Sequence, residues 1–469
     1  MKITFIGHAS ILIEAGGVRI LSDPWWRGPC FGAQWWVYPA PYIDDLDRNP
    51  IDYIYISHGH HDHFHPATLR TLNRSSKVLV SPATKLSSFA KGLGFEVIEV
   101  DQDEVVSLGN EGVTCRLMAT HSDDTLMVIA DKQEVCVNLN DSLHSAPEAV
   151  QDKFITQLKE LFPRIDYVFC GYGVASHFPN CYVVPGKDRQ ATAVRRQQYF
   201  NRQWVRLIAG LQPRFGFPFA ADVVFLEEDL FWVNEPTHNA ERPTAAFRAL
   251  YPDSPIVTMD IAPGFAIQDG KVLRENLRKP VFAADLRANC ADQVVRANRY
   301  GRVDEAAVKE VATLVQQSLD ICADYLRTYD DDYRFLIRFR NSAFGIRIEK
   351  QREQISLTTV QTEPGNVLEY DVIYTTRLSY LKWSYTEPYG DEILFVGSGG
   401  LFEYTEQSKA KENLHREFVH VLKRRDRPPP PRYGTSSKLI RTAKTKLKQL
   451  LGRRDNDLYN LATWTVFSR

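Results

Sequence analysis

Five histidines fall within eight residues of "YIYISHGHHDHFHPATL" (Tyr53 to Leu69), directly after an alternating apolar run and directly before a helical one. Imidazoles compete for hydrogen bonds and titrate near neutrality, so such a cluster at a strand-to-helix junction asks for a defined chemical purpose. The spacing reads His58-x-His60-x-Asp62-His63. Two imidazoles at i and i+2 leave an extended loop on the same side and can chelate one cation, while Asp62 and His63, next in the turn, face a second. Two further strand ends offer completing ligands: His121 in "LMATHSDD" and Asp141 in "VNLNDSLH". A carboxylate can bridge two cations because its oxygens reach both and its charge offsets their repulsion, which suits Asp141. A solvated polar loop would need none of these partners. The expected cofactor is therefore a pair of divalent metal ions.

The surrounding chain supplies a scaffold. "KITFIGHASILIEAGGVRILSDPWW" alternates apolar and polar residues about Gly16-Gly17 and reads as two strands of a hairpin. "IDYIYISH", "KVLVSPAT", "CRLMATHS", "LMVIADKQEVCVNLND" and "IDYVFCGYG" continue as short strands that end in polar loops, with helix-length inserts between them. This is an α/β pattern with functional groups at strand ends. Helical periodicity takes over from Asp285 to Asp330, and alternation returns in "YRFLIRFRNSAFGIRIEK" and "GDEILFVGSGGLFEY". The expected organisation is a catalytic domain over 1–284, a smaller α+β domain over 285–425, and a proline hinge with a basic amphipathic tail over 426–469.

Charge and cysteine content narrow the function classes. A net charge of −1 gives no global pull toward nucleic acid or membrane. Seven scattered cysteines without a C-x-x-C pair argue against both a cysteine-only zinc knot and a disulfide framework. No apolar run reaches the roughly 18 residues of a spanning helix, and the chain enters a strand pattern at once, so a cytoplasmic location is expected. The tail qualifies this: Lys423 to Arg454 holds twelve Lys and Arg against one acidic residue, with "RPPPPRYG" inside the run. Apolar residues at helical spacing in "SSKLIRTAKTKLKQLLGRR" make a helix that could pack on its own domain, lie on an anionic membrane, or bind an acidic protein. Membrane-peripheral association is thus left open. No aromatic residues interleave the basic run, which disfavours nucleic acid as a partner.

The H-x-H-x-D-H arrangement of His58, His60, Asp62 and His63 resembles the metallo-β-lactamase superfamily, and Asp23 in "ILSDPW" resembles that superfamily's early aspartate, which steadies the metal loop from behind. The resemblance implies a metallo-β-lactamase-type αββα sandwich over roughly residues 1–240. His8 in "IGHAS" is similar to a histidine common in the branch of ascorbate-lactonase-like and phospholipase-D-like hydrolases, where packing and support of the metal loop are both open to it. "GYGVASHFPNCYVV" and "FAADVVFLEEDLFWVNEPTHNAERP" resemble the catalytic region of the CMP-N-acetylneuraminate hydroxylase family. The resemblance also implies a late strand-end histidine on the second metal, but "LQPRFGFPFAADVV" offers Phe219 and Ala220 there. Asp222, His177 and His238 are the nearby substitutes. The aromatic stretch holding Trp25, Trp26, Trp35 and Trp36 is expected as a loop over the core and a substrate wall.

Two enzyme classes follow. In one, a non-haem diiron oxygenase hydroxylates an activated sugar or similar polar small molecule, with electrons from a separate reductase or Rieske protein, because the sandwich starts without a preceding cluster domain. In the other, a zinc-type hydrolase opens a phosphoester, ester or lactone with water activated between the cations. The missing late histidine leaves a more oxygen-rich site, which suits iron at least as well as zinc and tips the reading toward the oxygenase.

Overall fold

The computed structural model describes residues 1–46, 49–102, 104–120, 124–173, 176–362, 369–387, 390–406, 408, 415 and 418–424. The chain divides into two compact units, one of residues 1–174 and 196–294, the other of residues 175–195 and 295 onward. The first unit therefore runs past residue 284, and a segment from the middle of the sequence joins the second. The proposed tail over 426–469, with its proline hinge, lies outside the described residues.

In the first unit, an eight-stranded sheet runs in the order Lys271–Arg274, Ala266–Gln268, Lys2–Gly7, Ser10–Ala15, Val18–Ser22, Tyr53–Tyr55, Lys77–Val80 and Glu96–Glu99. A seven-stranded sheet runs Val257–Thr258, Phe215–Phe219, Tyr167–Gly171, Val135–Asn140, Thr125–Ala130, Val113–Ala119 and Val106–Leu108. Ile3, Phe5, Ile11, Ile13 and Ile20 of the first sheet share one buried cluster with Leu117, Met127, Ile129, Phe169 and Phe217 of the second, so the sheets pack face to face. Each outer face carries helices. Phe154 and Leu158 of Glu148–Leu161, with Trp204, Ile208 and Leu211 of Arg189–Leu211, cover Val128, Val137 and Val168. Leu69, Leu86 and Ala90, on or beside short helical segments, cover Leu21, Ile54 and Val78. The layers are α, β, β, α.

The opening segment makes three strands where alternation alone suggests two. Gly16 and Gly17, both at positive φ, turn Ser10–Ala15 into Val18–Ser22, as a two-residue hairpin turn requires. A second reversal falls at His8-Ala9, between Lys2–Gly7 and Ser10–Ala15. The apolar pattern runs through this turn without a break and so hides it.

The second unit is an α+β fold. Its six-stranded sheet runs Tyr182–Val183, Gly400–Tyr404, Val372–Thr376, Tyr333–Phe339, Phe344–Gln351 and Gln354–Gln361. The helix Glu305–Arg327 is capped by Asp304, whose carboxylate accepts from the Ala307 amide at 2.9 Å, and it buries Val308, Val311, Val315, Leu319 and Leu326. Parallel pairing of Tyr182 with Phe402 draws residues 175–195 into this unit. Among the described residues, no helix is long and apolar enough to cross a membrane.

Candidate metal centre

Four strand ends of the sandwich converge on the histidine loop, and each carries a non-glycine residue at positive φ: His8 (51°), Asp23 (35°), Asn140 (52°) and Ala220 (54°). Such backbone costs energy and persists where surrounding contacts over-determine it. The contacts here are specific. Asp23, fully buried, accepts at 2.8 Å from the Ser57 amide and at 2.8 Å from the Ser57 hydroxyl, and also from the Asn140 side-chain amide. Its Oδ2 lies 3.0 Å from His63 Nδ1, which fixes that nitrogen as the donor and turns Nε2 toward the opposite side. Ser57 Oγ also lies 2.9 Å from His58 Nδ1, so one serine joins both histidines to Asp23.

On the opposite side, His63 Nε2 lies 3.3 Å from Asp62 Oδ2 and 3.5 Å from Asp141 Oδ2. His58, His63 and Asp141 each bring one ligand atom within 4.8 Å of the others, and so do His8, Asp62 and His63. His58 Nε2 and His60 Nδ1 approach to 2.8 Å, the pair of nitrogens that the i, i+2 spacing anticipates. Asp62 Oδ1, Asp141 Oδ1 and His63 Nε2 are buried without a hydrogen-bond partner. Burying such atoms unpaired is costly, and a cation is the group that would satisfy all three. The donor set fits a metal.

The electrostatics favour positive charge at the same point. Burial opposes ionisation of Asp62 and Asp141, yet His63 outweighs it and holds both carboxyls below their ordinary range. Burial likewise opposes charge on His63, but Asp62 and then Asp141 push its pKa well above the usual imidazole value. His58 is pushed down to about 4, by burial first and by His63 second, so it remains a neutral donor.

The other residues anticipated at the site have definite places. His121 lies outside the described residues. His177 belongs to the second unit, where Nδ1 lies 2.6 Å from the Phe395 carbonyl and Nε2 3.1 Å from the Tyr182 hydroxyl. His238 Nε2 is taken by the Val223 carbonyl at 2.7 Å, and the Asp222 carboxylate contacts the Arg278 guanidinium. None of these three joins the two His/Asp groups. Trp25 is buried edge-on to His8, with ring centroids 5.2 Å apart. Trp26 is anchored through its amide to Thr68, at 3.0 Å. Trp35 and Trp36 lie in a short strand, Trp35–Val37, paired with Val223–Phe225. His65 caps the helix Pro66–Leu69, and His61 stacks on Phe31, so both have structural work outside the ligand set.

Sequence reasoning passed over Ser57, Asn140, Asp124 and His144. Asp124 Oδ1 lies 3.9 Å from His58 Nδ1, and His144 Nδ1 lies 2.9 Å from the Asp141 carbonyl. His144, three residues after Asp141, was open to notice as its neighbour in the turn. Gly171 completes the cradle: a Cβ there would stand 2.7 Å from the Asn140 carbonyl and 3.0 Å from Asp141 Oδ1. Gly171→Ala is expected to displace Asp141 and weaken metal binding by about 10-fold or more, as lost ligand support does, with the fold retained. Chelator competition checks this; unchanged affinity would mean that Asp141 is not held by this approach.

Residues 2–121 match the family described as the beta-lactamase superfamily domain. Over 248 residues, 50% of this chain, the sequence is 28% identical to a Mycolicibacterium smegmatis protein named as a Rieske 2Fe-2S iron–sulfur protein, and the match covers 46% of that protein. Over 290 residues, 59% of this chain, it is 25% identical to the cytidine monophosphate-N-acetylneuraminic acid hydroxylase of Mus musculus, of which 48% is covered. The chain thus spans about half the length of the curated relatives it matches. A mutant of the CmlA beta-hydroxylase is 21% identical, with a TM-score of 0.38 over 57% of this chain and 53% of the other. The superfamily match at the histidine loop and the α, β, β, α layering make the first unit a metallo-β-lactamase-type sandwich, followed by a smaller α+β region.

Proposed function

We propose that this chain is a dinuclear metalloenzyme, and that it acts as a non-haem diiron oxygenase on an activated sugar or similar polar metabolite. The observation that carries the reading is the donor set around His63, where Asp62 and Asp141 place two carboxylates beside imidazoles in a buried site. Mixed carboxylate and imidazole donors suit iron as well as zinc. His58, His60 and His121 would hold one cation, Asp62 and His63 the other, and Asp141 would lie between them. When bound, the iron pair would supply dioxygen activation and accept electrons from a separate Rieske-type or reductase protein. The similarity to a named hydroxylase and to a named Rieske protein supports both halves of that reading. The chain's own residues supply the rest: Asp23 orients His63, Ser57 joins His58 to that support, and Trp25 packs behind His8. The aromatic segment through Trp35 and Trp36 would wall the substrate.

Protein purified anaerobically without added metal is expected to carry close to two irons per chain and, once reduced, to consume dioxygen. Two tightly held zinc ions, with turnover of a phosphodiester or lactone under argon, would instead establish the hydrolase.

A further inference from the structure

The place where a late histidine would complete the second cation is the end of the strand Phe215–Phe219, and Ala220 stands there. Its backbone amide donates to the His8 carbonyl at 2.8 Å. The strand end without a ligand is therefore held against a residue that carries one. The geometry points to His8 as a direct ligand of the second cation, in place of that late histidine; the assignment rests on the dinuclear reading above.

The separations support it. His8 Nε2 lies 3.0 Å from Asp62 Oδ2, which lies 3.3 Å from His63 Nε2. Metal–ligand bonds of about 2.0–2.2 Å leave neighbouring donor atoms roughly 3.0–3.5 Å apart, in octahedral or tetrahedral arrangement. Both spacings lie in that range. His8 is 2% exposed, and its ring is steered by the edge-on indole of Trp25. Its backbone holds φ at 51° in the reversal between the first two strands, a conformation that aims the imidazole across the strand ends at Asp62. The other nearby candidates are committed: Asp222 to Arg278, His238 to the Val223 carbonyl. The resulting second site has two imidazoles and two carboxylates, from His8, His63, Asp62 and Asp141.

The competing role for His8 is to position Asp62 through a hydrogen bond, and the two roles separate in cobalt-loaded full-length protein. A ligating imidazole carries a strongly shifted ring N–H resonance, whereas a positioning one does not. His8→Gln is expected to bind one Co²⁺ at concentrations that give two in the unaltered chain. The second binding step should weaken by more than about 100-fold, beyond the 10–100-fold that outer partners are worth. One shifted N–H resonance should disappear and the others remain. Retention of every shifted resonance, at whatever affinity, would overturn the assignment. Should His8→Gln fail to fold, ¹⁵N-histidine labelling of the unaltered cobalt protein decides alone: ring signals of His8 at ordinary shifts would overturn it. Fewer than two Co²⁺ in the unaltered chain would remove the dinuclear reading itself, and this assignment with it.

Discussion

His63→Ala is expected to abolish binding of the second cation, lowering its affinity by at least two orders of magnitude, because His63 Nε2 is the imidazole donor beside both Asp62 and Asp141 while its Nδ1 is held by Asp23. The same change should destabilise the metal-free protein. Without a metal, His63 is the positive partner of three carboxylates, those of buried Asp23 and Asp62 and of partly buried Asp141. Truncating the cation of such a cluster leaves like charges buried together and costs about 3–5 kcal/mol. His58→Ala provides the contrast: its imidazole stays neutral, so its loss should remove metal from the first group with a smaller effect on the metal-free fold. The penalty of His63→Ala also has a direction in pH. Asp62 and Asp141 titrate below their ordinary range in the unaltered chain, so their stabilising contribution is present above the unfolded carboxyl value and lost as pH falls through the folded one. In the variant, protonation relieves the repulsion, and the gap between the two proteins should narrow toward acid. Denaturant unfolding of both proteins in chelator, at neutral and acidic pH, measures it. A metal-free variant as stable as its parent at neutral pH would show that His63 is not the balancing charge.

What could be read along the chain and what could not follow from the reach of each interaction. The His58, His60, Asp62 and His63 set is local: six residues fix which side chains share a side of the loop. Alternation located most of the strands for the same reason, since burial of one face leaves a period of two. Partners distant in sequence leave no such trace. His8 and Asp62 are 54 residues apart, and Asn140 reaches Asp23 across 117. Strand order within the first sheet brings the first pair together, and the stacking of the two sheets brings the second. The turn at His8-Ala9 was hidden because Ile3, Phe5, Ala9, Ile11 and Ile13 keep a single period of two through it, so reversal does not interrupt the pattern. His177 and His238 looked available because a histidine in a polar loop carries no sign of the carbonyl that will occupy it. Residues 175–195 join the second unit through a two-residue strand, Tyr182–Val183, too short for any periodicity, and through long-range contacts such as His177 with the Phe395 carbonyl. Where the superfamily resemblance called for a late histidine, the sequence did reveal the gap, and the candidates considered for it lay nearby in the chain rather than across the sheet.

Asp23→Ala should be among the most damaging single changes outside the ligand set, through stability as well as metal binding. The carboxylate is fully buried and collects hydrogen bonds from the Ser57 amide, the Ser57 hydroxyl, the Asn140 side chain and His63 Nδ1. Alanine would orphan those donors at a fully buried position. Each buried donor left unpaired costs about 1–3 kcal/mol, and partial rearrangement of Ser57 and Asn140 should hold the total to about 3–5 kcal/mol. Backbone strain adds to this, because φ is 35° at position 23, where Asp and Asn are tolerated better than Ala. Asp23→Asn separates the contributions. It keeps the shape and the backbone preference but can accept through only one of its two terminal atoms, so its amide must face at least one of the present donors. The amide also lacks the charge that makes His63 a stronger base. Asp23→Asn should therefore fold with a smaller stability loss and still weaken metal binding by about 10–100-fold. The decisive comparison is unfolding in chelator beside metal titration for both variants. If Asp23→Asn binds metal as tightly as the parent, Asp23 braces the loop mechanically and does not tune His63.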